Sequence, residues 1–251
     1  MPANDESPTV LDAIYTSPLL GPEEKTVSRM LAEAQAILGA GTETTGNTLA
    51  VLTYHILAQS DIRERLVSEL DSAAAKSTTT FMDDALLDNR VLADLPYLQA
   101  CIREALRLAT GVCSRLPRST KLSSTAYTDP SGREYVFPPG TVISMSILDL
   151  HYNASIFPSP KSFNPDRWLN ASKKELRQME RAYAPFGRGA RSCVGLELAK
   201  EEINLLAGNL FWKFGESMTL FETSERDVSM AVDFFAPFGP ADSKGVRVLV
   251  K

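Results

Sequence analysis

The chain is poor in the residues that announce metal or redox chemistry by clustering. Its 251 residues include three cysteines, at 101, 113 and 193, and two histidines, at 55 and 151. None is spaced CxxC, so the pattern proposes neither a disulfide framework nor a structural zinc site. A Cys–His catalytic pair assembled in space stays open, without a local signature. Neither sign of charge dominates: 26 Lys and Arg stand against 31 Asp and Glu, a net of -5, which gives no basic surface for nucleic acid. No charge-free apolar run reaches the roughly 18 residues of a membrane span, so none is predicted. The start, MPANDESPTVLDAIYTS, is polar and broken, unlike a secretion signal or an anchor. What remains is a chain with 44% hydrophobic residues, enough to bury a substantial core.

Residues 1–20 read as a loose leader holding a small apolar patch at Val10, Leu11, Ile14, Leu19 and Leu20. Pro22 followed by Glu23 and Glu24 signals a helix start, and apolar spacing carries that helix to about His55. A second amphipathic helix is predicted over 61–75, and a short helical turn over 81–87. A third helix runs from Leu95-Pro96-Tyr97 to about Leu108. Strands are predicted at 120–124, 133–137 and 141–147, with Pro138-Pro139-Gly140 turning into the last. A Pro-rich segment around His151 and Phe157 follows, where His151 is expected to make one local hydrogen bond. After a further helix to about Phe214 come short strands, the last at 245–250. The fold class is mainly α with small β-sheets.

Three stretches carry chemistry. The first is Phe186 to Gly195, FGRGARSCVG, too glycine-rich for helix or strand. The helical pattern LELAKEEINLLAGNLFWKF follows at once, so Cys193 lies just before or at a helix start. The helix dipole there, with Arg188 and Arg191, favours a thiolate, a soft anionic ligand for a metal cofactor. Gly187, Gly189 and Gly195 let a flat group approach the backbone. The bland alternative is a small buried Cys in a turn. The second stretch is Ala40-Gly41-Thr42-Glu43-Thr44-Thr45, a glycine and three threonines inside a helix. Gly costs a helix about 1 kcal/mol and Thr can bond the carbonyl four residues back, so a bend or a ligand groove is expected there. His55, eleven residues after Thr44, is too far along the helix to share a ligand with it. The third is Glu104-x-x-Arg107, on one helix face; taken alone this is an ordinary surface pair.

In this order the motifs resemble those of the cytochrome P450 family, and the pattern Phe-x-x-Gly-x-Arg-x-Cys-x-Gly resembles its haem signature. The resemblance covers nearly the whole chain, but only the carboxyl-side portion of the family's fold. It implies a long distal helix, a helix pair, a Glu-x-x-Arg helix, a β region, a meander, the Cys loop and a proximal helix. Residues 21–251 would form one haem-binding domain lacking the family's amino-terminal region.

On that resemblance Cys193 is the proximal ligand of haem b, whose thiolate pushes electron density toward O–O cleavage. Phe186 packs beside the ring, and Arg191 and Arg118 meet the propionates. The plain alternative for Arg118 is a solvent-facing loop charge. Ala40 and Gly41 let the haem face come close. Thr44 is the donating alcohol and Glu43 the acid of a proton relay, with Thr45 in support. Glu104, Arg107 and Arg167 of Phe163-Asn164-Pro165-Asp166-Arg167-Trp168 form one buried cluster; Asp166 stands where the family commonly has Glu. Cys113, Leu116, Pro117, Phe234 and Phe235 border the substrate, a buried aromatic patch being the alternative for the last two.

The implied function is insertion of one oxygen atom of O2 into a small apolar substrate, with electrons from an NADPH-dependent reductase. The alternative is a catalytically inactive fragment that binds haem or a partner at most. The motifs look most like fungal microsomal members of secondary metabolism. That places full-length relatives at the endoplasmic reticulum membrane, and this chain, without an anchor, in the cytoplasm or at a membrane periphery.

Overall fold

The computed structural model describes residues 8–76, 80, 81 and 86–251. It is mainly helical with small antiparallel sheets. Helix α1, Val10–Thr16, opens it, capped reciprocally by Thr9 and Asp12. This stretch was expected to be loose; the Thr-x-x-Asp box satisfies two end N–H groups and turns the patch into a helix. A 3-10 turn, Pro22–Lys25, comes next, then α2, Val27–Ala58. The helix expected from Pro22 is therefore split at Thr26, whose hydroxyl caps α2 by accepting from the Arg29 N–H at 3.3 Å. Through Ala40–Thr45 α2 runs without a break, although the Thr44 and Thr48 hydroxyls bond the carbonyls of Ala40 and Thr44, both at 2.9 Å.

Helix α3, Ser60–Lys76, follows after a single residue. Strands β1, Thr80–Phe81, and β2, Leu86–Leu87, pair where a helical turn was expected; the remainder of that predicted turn lies outside the described residues. Asn209 explains β2: its side chain takes the Leu87 N–H at 2.8 Å and gives to the Leu87 carbonyl at 3.2 Å, acting as a neighbouring strand. Then come α4, Asn89–Ala93, and α5, Pro96–Ala109.

Strands β3, Leu116–Ser119, and β6, Val142–Met145, form one ladder; β4, Thr125–Thr128, and β5, Glu134–Phe137, form another. The predicted strand at 120–124 is instead the connection between β3 and β4. Thr120 suits a strand, but the partner strand β6 begins only at Val142, opposite Ser119. Helices α6, Ile147–His151, α7, Asp166–Leu169, and α8, Lys173–Ala182, lead to α9, Leu196–Phe214. The chain closes with β7, Met218–Leu220, paired to β10, Val248–Val250, and the hairpin β8, Val232–Phe234, with β9, Ala236–Phe238.

The core lies where the carboxyl half of α2 meets α3, α5 and α9. Leu52, Ile56, Leu66, Leu98, Ala105, Ala207 and Phe211 are wholly buried there. Full burial of a side chain the size of Leu or Phe contributes about 1.5–3 kcal/mol.

Helix α5 is the frame. An α-helix leaves backbone groups unpaired at each end, and here distant side chains take them up. Glu69 of α3 accepts the Tyr97 and Leu98 N–H groups at 2.9 and 2.8 Å, beside Pro96 in the first turn, which lacks an N–H. At the other end the Arg107, Leu108 and Ala109 carbonyls accept from His151 Nδ1 at 3.0 Å, Tyr152 Oη at 3.2 Å and Asn47 Nδ2 at 3.2 Å.

Candidate active site

A buried ionic cluster ties α5 to the segment after α6. The Glu104 carboxylate, with no exposed surface, accepts from Arg107 Nε at 3.0 Å and Nη2 at 2.8 Å, and from Arg167 Nε at 2.9 Å. The Trp168 indole N–H at 2.9 Å and the Asn164 N–H at 3.1 Å complete its shell. Arg107 spends its remaining donors on the carbonyls of His151, Pro160 and Ser162, and Arg167 on those of Pro158 and Ser159. The cluster thereby pins residues 151–168 to α5. Such burial is costly for each charge alone, and only this density of partners makes it tolerable.

His151 carries the frame forward, a role its expected local hydrogen bond did not foretell. Its Nε2 accepts the Ala184 N–H at 3.0 Å, so Nδ1 bears the proton that it gives to the Arg107 carbonyl. Both bonds are long-range, spanning 44 and 33 residues. Wholly buried and stacked at 5.6 Å on Tyr183, it has its pKa pushed down to about 4 by loss of water. His55, stacked at 4.9 Å on Phe163, is likewise lowered to about 4 by burial.

From Ala184 the chain enters the glycine loop. The Ala184 carbonyl accepts the Gly187 N–H at 3.0 Å, and the Phe186 carbonyl accepts the Cys193 N–H at 2.8 Å. Gly187 and Gly189 sit at φ 69° and 76°, which side chains avoid. The loop folds back so that Cys193, three residues before α9, is exposed, as are Val194 and Arg191. Phe186 is half-buried against the core. Arg188 is drawn to the Glu180 and Tyr183 carbonyls at the end of α8.

Of the threonine stretch, Ala40, Gly41 and Glu43 are exposed and Thr44 is half-buried. The Thr44 hydroxyl donates to the Ala40 carbonyl at 2.9 Å. Thr45 is buried, and its hydroxyl has no partner among the described residues. Thr42, Glu43 and Thr44 line an open cleft of about 300 Å³ together with Gly111, Ala236, Pro237 and Phe238. Phe234 and Phe235 are 71% and 59% exposed, so the buried aromatic patch does not form. Cys113 is buried and bonded to Asp233, its thiol raised to about 11 chiefly by burial. Leu116, half-buried, and Pro117 and Arg118, exposed, lie on β3; the Arg118 guanidinium bonds the Pro117 carbonyl at 2.9 Å. The threonine stretch and the Cys loop share α5 as a frame, one through Asn47 and the other through Arg107 and His151.

Among the described residues, no group of three or more His, Cys, Asp and Glu could hold a metal ion, and no helix is long and apolar enough to cross a membrane. A group bound through one thiolate makes no such demand. A side-chain carbon built at Gly189 or Gly41 would meet nothing within 4 Å, and the Cys193 sulfur is the nearest such neighbour at Gly195, at 3.9 Å. An exposed soft ligand on a glycine loop beside uncovered Val194 and Leu198 fits a large flat apolar group.

The family model for cytochrome P450 matches residues 10–228, and the chain belongs to that family. Among its relatives are the fusicoccadiene C-8 hydroxylase of Phomopsis amygdali, 38% identical over 97% of this chain and 44% of that protein, and the N-acetyltryptophan 6-hydroxylase ivoC of Emericella nidulans, 37% identical over 96% and 44%. The cytochrome P450 monooxygenase sdnE of Sordaria araneosa is 36% identical over 97% and 45%. The chain thus spans somewhat under half the length of these fungal proteins.

Proposed function

We propose that the chain carries the haem-thiolate side of a monooxygenase acting on a small apolar organic substrate. Residues 21–251 then form one haem b-binding domain. In it α2 is the distal helix, α2 and α3 the helix pair, α5 the Glu-x-x-Arg helix, β3 to β6 the β region, 151–165 the meander and α9 the proximal helix. The observation that supports this best is an exposed Cys193 on a glycine loop whose root, at Ala184, is bonded to a histidine seated on the buried Glu104 cluster.

Bound haem would supply the oxygen chemistry: O2, two electrons from an NADPH-dependent reductase and two protons, one oxygen entering a substrate C–H bond and the other leaving as water. The chain's residues do the rest. Cys193 offers the sulfur, steadied through its N–H by Phe186. Phe186, Gly187, Gly189 and Gly195 shape the approach, and Arg191 and Arg118 offer cations to the propionates. Thr44 would be the donating alcohol and Glu43, on the same cleft, the acid of a proton relay. Ala40 and Gly41 keep that face of α2 low. Leu116, Pro117, Phe234 and Phe235 offer the apolar border for substrate, with Cys113 packed behind the last two.

The exposure of Val194, Leu198 and Met145 favours a second reading: haem or partner binding without turnover. Expression with haem supply, reduction and carbon monoxide tests the first step. The expected result is a thiolate-type Soret band lost in Cys193→Ser. Haem that binds loosely and ignores the substitution overturns both haem readings. Reductase- and NADPH-dependent O2 uptake by the haem-loaded chain then separates the enzyme from the inert binder.

A further inference from the structure

We propose that Asp233 is a positioning residue that sets the shape of the cleft beside Thr44 by tying the tip of the β8–β9 hairpin to the Cys113–Ser114 turn. Its effect on ligand choice rests on the reading above; the tie itself does not.

One oxygen does the work. Asp233 Oδ1 accepts from Ser114 Oγ at 2.5 Å, from the Phe235 N–H at 2.9 Å and from Cys113 Sγ at 3.3 Å. From the other side the Cys113 N–H donates to the Phe235 carbonyl at 3.0 Å. Phe235 between them has φ 75°, a conformation that a bulky residue keeps only when its surroundings fix it. Burial cannot do the fixing, since Phe234 and Phe235 are mostly exposed. The two-strand ladder is short, pairing only Val232, Asp233 and Phe234 with Phe238, Pro237 and Ala236. Hydrogen bonds to a carboxylate are the strong element left.

Both tied segments border the cleft. Gly111 lies two residues before Cys113, close enough to Thr44 that an added side-chain carbon would stand 3.7 Å from Thr44 Cγ2. Ala236, Pro237 and Phe238 follow Phe235 directly. Freeing the hairpin from the turn therefore changes the space over Thr44 without altering α2. The donors on Asp233 also hold its carboxyl below the usual range, led by Ser114.

The test uses the whole chain with Asp233→Ala, Asp233→Asn and Ser114→Ala. Iodoacetamide labelling of Cys113, read by peptide mass, reports the tie without haem. Losing hydrogen bonds to a charged group should speed labelling on the order of tenfold or more in Asp233→Ala. Ser114→Ala removes one donor and should give a smaller rise. Asparagine keeps an oxygen in place and should restore protection. On the haem-loaded chain, the ratio of affinities for imidazole and 4-phenylimidazole reports the width of the cleft; it should shift in Asp233→Ala and return in Asp233→Asn. Unchanged labelling in Asp233→Ala overturns the tie. Faster labelling with an unchanged ratio overturns the control of cleft shape. Should no thiolate-ligated haem form, the proposed function fails, while Cys113 labelling still decides the tie.

Discussion

Replacing His151 with Gln tests the buried histidine as the link between the Glu104 cluster and the Cys loop. In the native state its pKa is lowered from 6.5 to about 4 by burial, because Nε2 already accepts the Ala184 N–H and water cannot reach a charged ring. The unfolded chain takes up that proton near pH 6.5, whereas the native chain does so only near pH 4. Between those values the unfolded state holds more protons, so native stability falls as pH falls. At 1.36 kcal/mol per pKa unit the gap corresponds to about 3 kcal/mol lost from His151 across that window. Glutamine can present one N–H donor and one oxygen to the same partners but does not titrate. It forfeits the stacking on Tyr183, a loss that is the same at every pH. Urea midpoints for both chains at pH 7, 6, 5 and 4 should therefore show the variant less stable at pH 7. That deficit should close by about 3 kcal/mol by pH 4, while the carboxylates and His55 cancel in the difference. A deficit that stays constant over the whole range refutes the reasoning, since His151 would then carry the same proton folded and unfolded.

Arg107→Ala removes two of the five donors to the Glu104 carboxylate, one of its two cationic partners, and leaves three carbonyls without theirs; it should cost about 3–5 kcal/mol, a large share of the roughly 5–15 kcal/mol that holds a domain together. A chemical-denaturation curve checks the loss, and a variant that still takes up haem with an intact thiolate spectrum contradicts the role assigned to the cluster. Gly208→Ala would gain about 1 kcal/mol in helix propensity but places a carbon 2.5 Å from Leu92 Cδ2, on a wholly buried side chain; overpacking of about 1–3 kcal/mol should win. Calorimetry reads the sign, and a raised Tm shows that Leu92 can yield.

Spacing alone placed Cys193 at the mouth of a helix, put Ala40–Thr45 inside one and set Glu104 and Arg107 on one face, because glycine content and apolar periodicity act through local backbone preference. Local preference also misled. It read a helical turn where Asn209, 122 residues on, completes a strand at Leu87. It read a strand at 120–124, where no partner strand reaches. It could not tell a surface ion pair from a buried one, since an i,i+3 pair looks the same in both settings. It was packing that buried Glu104 under two arginines and an indole. Packing also turned a lone histidine in a Pro-rich segment into the link between α5 and the Cys loop, and brought Asp233 to Cys113, 120 residues away. The chain order fixed which chemical groups exist and which local turns carry them. Which groups share an oxygen or lose their water was decided only when distant segments closed onto α5, because hydrogen bonding and desolvation depend on neighbours in space.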